Sequence, residues 1–251
     1  GSNNVALGYG ALLFNTTASN NTAVGNLALL DNTTGASNTG IGSYALTNVT
    51  TGANNTALGK DAALNTTTAN GNVAVGRATL YTNSTGASNT ALGETALYSN
   101  TTASSNTAVG FQSLYTNTTG TANVGLGAYA LQLNTTGNYN TALGYNAGNA
   151  ITTGLYNVAI GANALDVSTT ANSNIGIGVN ALGATTTGAE NVAMGLNALI
   201  TNTTGASNVG IGTYALNSNT TASSNTAVGY QAGYSNTTGT PITVVGYQAG
   251  Y

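Results

Sequence analysis

Asp31, Asp61, Glu94, Asp166 and Glu190 are the only carboxylates in the chain, and Lys60 and Arg77 are its only cationic side chains. Histidine and cysteine are absent. A hydrolytic or metal site needs nucleophiles, acids, bases or ligands that converge on one pocket. The five carboxylates fall instead at five different places of the repeat described below. A calcium-binding solenoid would carry an acidic residue in every repeat. Catalytic residues and metal ligands are therefore expected to be none, no cofactor is implied, and the chain is expected not to be an enzyme.

Two groupings stand out by spacing. Lys60, Arg77 and Glu94 are 17 residues apart, with Asp61 beside Lys60. Stacked coils would turn them into a solvated ladder of compensating charge. Tyr81, Tyr98 and Tyr115 share the same spacing. Aromatic side chains brought side by side stabilise neighbouring strands, and an exposed strip of them is also the candidate ligand-binding surface, for sugars or a partner. Tyr230, Tyr234, Tyr247 and Tyr251 repeat a "GYQAGY" variant in which glycine replaces a core leucine, so the cross-section is expected to narrow there.

The spacing of 17 runs through the whole chain. A glycine closes each "NTAVG"-like motif at Gly8, Gly25, Gly42 and onward to Gly246, with no insertion. Numbering the repeat from that glycine as position 0, position 16 is always aliphatic, from Leu7, Val24 and Ile41 to Met194 and Val245. Position 13 is Asn except at Ile242, and position 9 is always Thr. Position 4 is Leu except at Ala63, Gly148, Gly233 and Gly250. Repeats built from helical pairs are about 30 residues or longer, and Asn, Thr, Gly and β-branched residues disfavour helix. The pattern predicts an all-β chain, a parallel β-solenoid or β-roll of about 15 coils with a strict 17-residue repeat. It forms one repeat domain over residues 1–251. Coils about 4.8 Å apart would build a rod about 70 Å long. The chain starts at position 10 and stops at position 5 with no polar cap, so a segment of a longer fibrous protein, or a unit stacking end to end, is expected.

Composition narrows the function classes. Charged residues make up only 3% of the chain, hydrophobic ones 41%, and the net charge is −3. Disorder goes with low hydrophobicity and high net charge, and nucleic-acid binding with clustered Lys and Arg; neither fits. No apolar run approaches the ~20 residues that cross a bilayer, so no membrane insertion is expected in this segment.

Within a coil, positions 13 to 16 alternate as a short strand. Aliphatics at 16 and Thr, Val or Ile at 14 are expected to face inward. Position 15, almost always Ala or Gly, then faces outward against a closely packed partner backbone; the alternative is a thin coil with position 15 inside. A second strand is expected near positions 2 to 6, with Leu at 4 as the other core row. The "NTTGASN" stretch is the turn between them. Where its Gly at 10 becomes Ala (Ala18, Ala69, Ala103, Ala171, Ala222), position 11 is Ser or Asn, as if a left-handed residue had moved one place along. Asn at 13 and Thr at 8 and 9 are expected to stack as hydrogen-bonding ladders. Asn-Thr-Thr turns at Asn15, Asn32, Asn117 and Asn202 match a glycosylation acceptor, but the repeat already accounts for them.

The "SNTAVG" and "NNTALG" motifs resemble the head repeats of trimeric autotransporter adhesins, and similar repeats occur in bacteriophage tail fibres and bacterial surface fibres. The resemblance covers essentially the whole chain through one motif per coil. It implies a left-handed β-roll, three chains around an axis, an extracellular location on a bacterial surface or virion, and attachment to a host cell, matrix protein or glycan. No neck, stalk or anchor of those adhesins is expected within residues 1–251, and the repeat is somewhat longer than theirs. The expected function is a rigid adhesive or structural rod that forms a homo-oligomer, either a trimer or an end-to-end filament. An ice-binding solenoid is the alternative, disfavoured because the constant Thr pair at 8 and 9 is adjacent, so its side chains point apart.

Overall fold

The computed structural model describes residues 1–239 and 241–251. The chain is all-β, with fifteen three-residue strands and no helix among the described residues, wound as a parallel β-solenoid with a 17-residue coil. It comprises two compact units, Gly1–Asn123 and Val124–Tyr251. The first holds the strands from Val5–Leu7 to Thr107–Val109, the second those from Val124–Leu126 to Thr243–Val245. Inside each unit neighbouring strands pair in parallel, one repeat apart, so that equivalent positions stack. Thr22, Ala23 and Val24 lie beside Thr39, Gly40 and Ile41 in the first unit. Val192, Ala193 and Met194 lie beside Val209, Gly210 and Ile211 in the second.

Each strand spans positions 14 to 16, and its facing is the reverse of the expected one. Position 15 points inward: Ala23, Ala91 and Ala193 have no exposed surface. Position 16 points outward, with Leu58 46% and Leu143 47% exposed. The physical reason is volume. Leu at 4 and the small residue at 3 fill the interior, leaving room for a methyl and little else. A Cβ added at Gly40 would lie 3.2 Å from the Ala45 carbonyl oxygen and 3.3 Å from Leu29 Cγ. The small size of position 15 therefore records a tight interior and says nothing of a partner backbone.

The expected second strand is absent. Positions 2 and 4 are left-handed instead, with Leu27 at φ 55° and Leu29 at φ 51°, a pattern that recurs in successive coils. The backbone there bonds to coils on both sides: Leu27 N–H donates to the Tyr9 carbonyl at 2.8 Å, and Leu29 N–H to the Ala45 carbonyl at 3.0 Å. A left-handed leucine costs about 1–2 kcal/mol, while burying its side chain contributes about 1.5–3 kcal/mol. The row from Leu29 to Leu216 is fully buried, so burial outweighs the strain. This also explains the exceptions at position 4. Gly148, Gly233 and Gly250 occupy the same left-handed conformation, at φ 58°, 60° and 63°, without strain. Their missing side chains are replaced from nearby: Ile151 Cδ1 reaches toward Gly148, and Val244, the one bulky residue at position 15, fills the space beside Gly233 and Gly250. The narrowing expected near the C-terminal "GYQAGY" repeats is thus offset by Val244.

The turn does not come in two left-handed registers. The left-handed residue is at position 12 throughout, from Asn20 and Ser37 to Ser224, whether position 10 is Gly or Ala. The side chain paired with Ala at 10 has another task, that of an acceptor. Ser104 Oγ accepts the Ala87 N–H at 3.0 Å, and Asn172 Oδ1 the Leu155 N–H at 2.7 Å.

The buried asparagines are the polar skeleton of the coil. Asn38 Oδ1 accepts the Asn55 backbone N–H at 2.9 Å, and Asn38 Nδ2 donates to the Gly52 carbonyl at 2.7 Å. An unpaired buried amide would cost about 2–7 kcal/mol; here both ends are paired. Position 7 adds a second column, in which Asn100 Nδ2 donates both to Asn83 Oδ1 and to the Ala103 carbonyl. Val49 interrupts that column, and Asn32 Oδ1, one coil before it, is buried without a hydrogen-bond partner. The Thr ladder forms at position 8, where Thr33 Oγ1 donates to the Thr50 carbonyl at 3.0 Å. Position 9 does not share it: those threonines are exposed.

Candidate functional site

The charged side chains pair locally and do not converge. Arg77 Nε donates to Glu94 Oε1 at 3.1 Å across one coil, and this hydrogen bond, with the charge behind it, raises the guanidinium pKa. Lys60 Nζ lies 3.8 Å from Asp61 Oδ2. Both pairs lie at the surface, with Asp61 half-buried, and surface pairs are worth little to stability. Glu190 Oε2 accepts from Ser207 Oγ at 3.2 Å, also at the surface. Among the described residues no group of His, Cys, Asp or Glu is arranged to hold a metal ion, and no pocket opens.

Asp166 has a carboxyl pKa raised by burial, opposed in part by a hydrogen bond to its own backbone. The folded state therefore holds its proton more tightly than the unfolded chain does. The sign follows: stability is greatest below the ordinary carboxylate range and falls as pH rises through the raised value. Asp166→Asn is expected to raise the thermal midpoint at neutral pH and to leave it unchanged in acid. Melting curves at both pH values check this, and a larger gain in acid would contradict it.

Tyr81, Tyr98 and Tyr115 are brought together as the spacing predicted. Ring centroids are 5.0 Å and 5.3 Å apart with interplanar angles of 5° and 17°. Burial, and then its tyrosine neighbours, raise the pKa of the central Tyr98 hydroxyl. Stacking covers both faces of the Tyr98 ring. All three tyrosines are half-buried, so the column expected as an exposed strip presents only part of its surface to a ligand.

Comparison with family models, with curated proteins and with solved structures finds no match for this chain. The surface itself has to carry the functional reading.

Its largest regular feature is one the sequence reading turned the wrong way. In each unit, position 16 forms an outward row of Leu, Ile and Val, joined in the second by Met194, with Thr, Val or Ile at 14 beside it. Leu92 is 42% exposed in the first unit, and Leu143 47% and Met194 39% in the second. In the second unit position 1 adds Tyr145, Val179 and Leu196, at 58%, 45% and 42% exposure. The signal for this face was present in the sequence: the middle residue of every strand but the last is the small one, and a core filled by Leu at 4 has no space for two more branched rows.

The Asn-Thr-Thr turns are structural. Asn32, Asn117 and Asn202 are fully buried, and their Nδ2 atoms donate to the Gly35, Gly120 and Gly205 carbonyls. The atom a glycan would occupy is already committed to the fold.

Proposed function

We propose that this protein is a non-enzymatic fibrous element of a bacterial surface or virion, extracellular, in which copies of the chain pack against one another and the residues at positions 1, 2 and 5, which vary most from coil to coil, attach to a host cell, matrix protein or glycan. The observation that carries the reading is the outward aliphatic row at position 16. A soluble monomer rarely leaves so regular an apolar stripe in water, and such patches mark interaction surfaces. The core does not use these side chains, so they are free to be buried between chains. The resemblance of the "NTAVG" motif to adhesin head repeats and tail fibres supports the same reading and favours three chains.

Sedimentation of the purified chain tests it. A trimer is expected, and Leu143→Lys is expected to lower the mass while keeping the far-ultraviolet circular dichroism spectrum, because Leu143 points away from the core. A wild-type monomer at micromolar concentration would overturn the proposal.

One observation favours a second reading, an ice-binding solenoid. Thr at position 9 is exposed in every coil, and these hydroxyls do not serve the ladder that position 8 builds. Thermal hysteresis is the measurement: its absence removes this reading, and its presence in a monomeric chain would replace the first.

A further inference from the structure

We propose that the stacked tyrosines are sites of oxidative cross-linking, at which a one-electron oxidant of the peroxidase class joins neighbouring coils through dityrosine. Tyr139 and Tyr156, equivalent residues of adjacent coils in the second unit, stack with centroids 5.1 Å apart and planes 2° from parallel. Both are open to solvent, at 55% and 57% exposure. Tyr230 and Tyr247 repeat the arrangement at 5.3 Å and 13°, with 40% and 73% exposure.

The composition leaves oxidation few other places to act. The chain has 14 Tyr, no Cys, no Trp, no His and a single Met. Disulfides are excluded, and with Lys60 the only lysine, so is any extensive amine-based cross-linking. Among the described residues the tyrosine stacks offer a covalent route that recurs between successive coils.

The chemistry balances with hydrogen peroxide as the terminal oxidant. Each phenol loses one electron and one proton to become a neutral phenoxyl radical. The two radicals couple through the ring carbons next to their oxygens, forming one carbon–carbon bond. Each ring then returns its displaced hydrogen to oxygen and regains aromaticity. The pair has lost two hydrogen atoms, and the peroxide, having taken two electrons and two protons, leaves as two waters. Near-parallel rings in register bring equivalent ring carbons face to face, the approach along which the half-filled π orbitals overlap; as each ring regains aromaticity it swings to put the new bond in its plane, and both side chains lie open to solvent. The Tyr129–Tyr145 pair, at 88° and 5.8 Å, presents an edge to a face and lacks that alignment. Each link would close a loop of 17 residues between coils already in register, a cross-link that constrains the unfolded chain more than the folded one.

The test treats the full chain with a peroxidase and hydrogen peroxide, then follows dityrosine fluorescence, intact mass and peptide mass spectrometry. The expected result is a loss of two hydrogen atoms per linked pair, a peptide joining Tyr139 to Tyr156, and a raised thermal midpoint. Tyr156→Phe should keep the ring stack, lose that link and retain the one between Tyr230 and Tyr247. The proposal is overturned if no dityrosine forms, if coupling occurs only between chains, if oxygen is added without coupling, or if Tyr129 and Tyr145 link as readily as the stacked pairs.

Discussion

Gly93→Ala is expected to destabilise the first unit by about 4 kcal/mol, enough to break the stack at that coil. Two costs add. Gly93 has φ +130°, a conformation that residues with a Cβ essentially do not adopt. The added carbon would also sit 2.6 Å from the carbonyl oxygen and 2.7 Å from the carbonyl carbon of Gly110, backbone atoms fixed by the next coil. Neither cost can be relieved by a side-chain rotation, which is why position 0 is glycine in every copy. Gly148→Ala is the control. Its φ is +58°, the atoms a Cβ would meet are the tips of Ile151 and Leu131 at 3.1 Å, and Ala63 already occupies the equivalent place. A cost of about 1 kcal/mol is expected there. Urea unfolding followed by circular dichroism compares the two. Equal losses would mean that the position-0 glycine is dispensable. Because each coil of a solenoid is held only by its neighbours, the Gly93 variant is also expected to unfold over a broader range of urea than the parent.

The repeat made much of this architecture readable without coordinates. A polar residue as constant as Asn at 13, in a chain with almost no charge, had to be satisfied internally, and Asn38 and its neighbours are. The tyrosine columns followed from register alone, since stacking in parallel puts residue 81 beside residue 98. What misled was symmetry. Alternation along Thr22–Val24 says that Thr22 and Val24 share a face, but a period of two is unchanged if the strand is turned over. Only the space left by Leu29 and Ala28 decides that Ala23 goes in, and that space is created by a left-handed corner where the constant Leu at position 4 suggested a second strand. Leucine at φ 51° is legible only in hindsight, through Gly148 and Gly233, the residues that adopt such a φ without strain. The proposed partner face shifts for the same reason: position 15, expected to face outward, is buried, and the aliphatic row at position 16 is exposed in its place.

The asparagine column offers the sharper test, because its two ends can be altered separately. Asn191 Oδ1 accepts the Asn208 backbone N–H at 3.0 Å, and Asn191 Nδ2 donates to the Gly205 carbonyl at 2.8 Å; all three residues are buried. Asn191→Ala strands the Asn208 N–H, a buried donor worth about 1–3 kcal/mol when unpaired. The Gly205 carbonyl keeps its bond from Asn202 Nδ2 at 3.0 Å, so a loss of about 3 kcal/mol, independent of pH, is expected. Asn191→Asp has the same shape and keeps the acceptor, but it turns the donor into a second carboxylate oxygen facing the Gly205 carbonyl. In a site with no exposed surface the charged form is strongly disfavoured, so this carboxyl would titrate well above the ordinary value of about 3.9. Below that value the protonated oxygen can donate to Gly205 and stability is nearly that of the parent. As pH rises through the raised folded value the contribution is lost, and by neutral pH the deficit should exceed that of the alanine variant. Acid should therefore rescue Asn191→Asp and leave Asn191→Ala unmoved. If both variants show the same deficit at every pH, the amide is filling space, and hydrogen bonding along the column is not what holds successive coils in register.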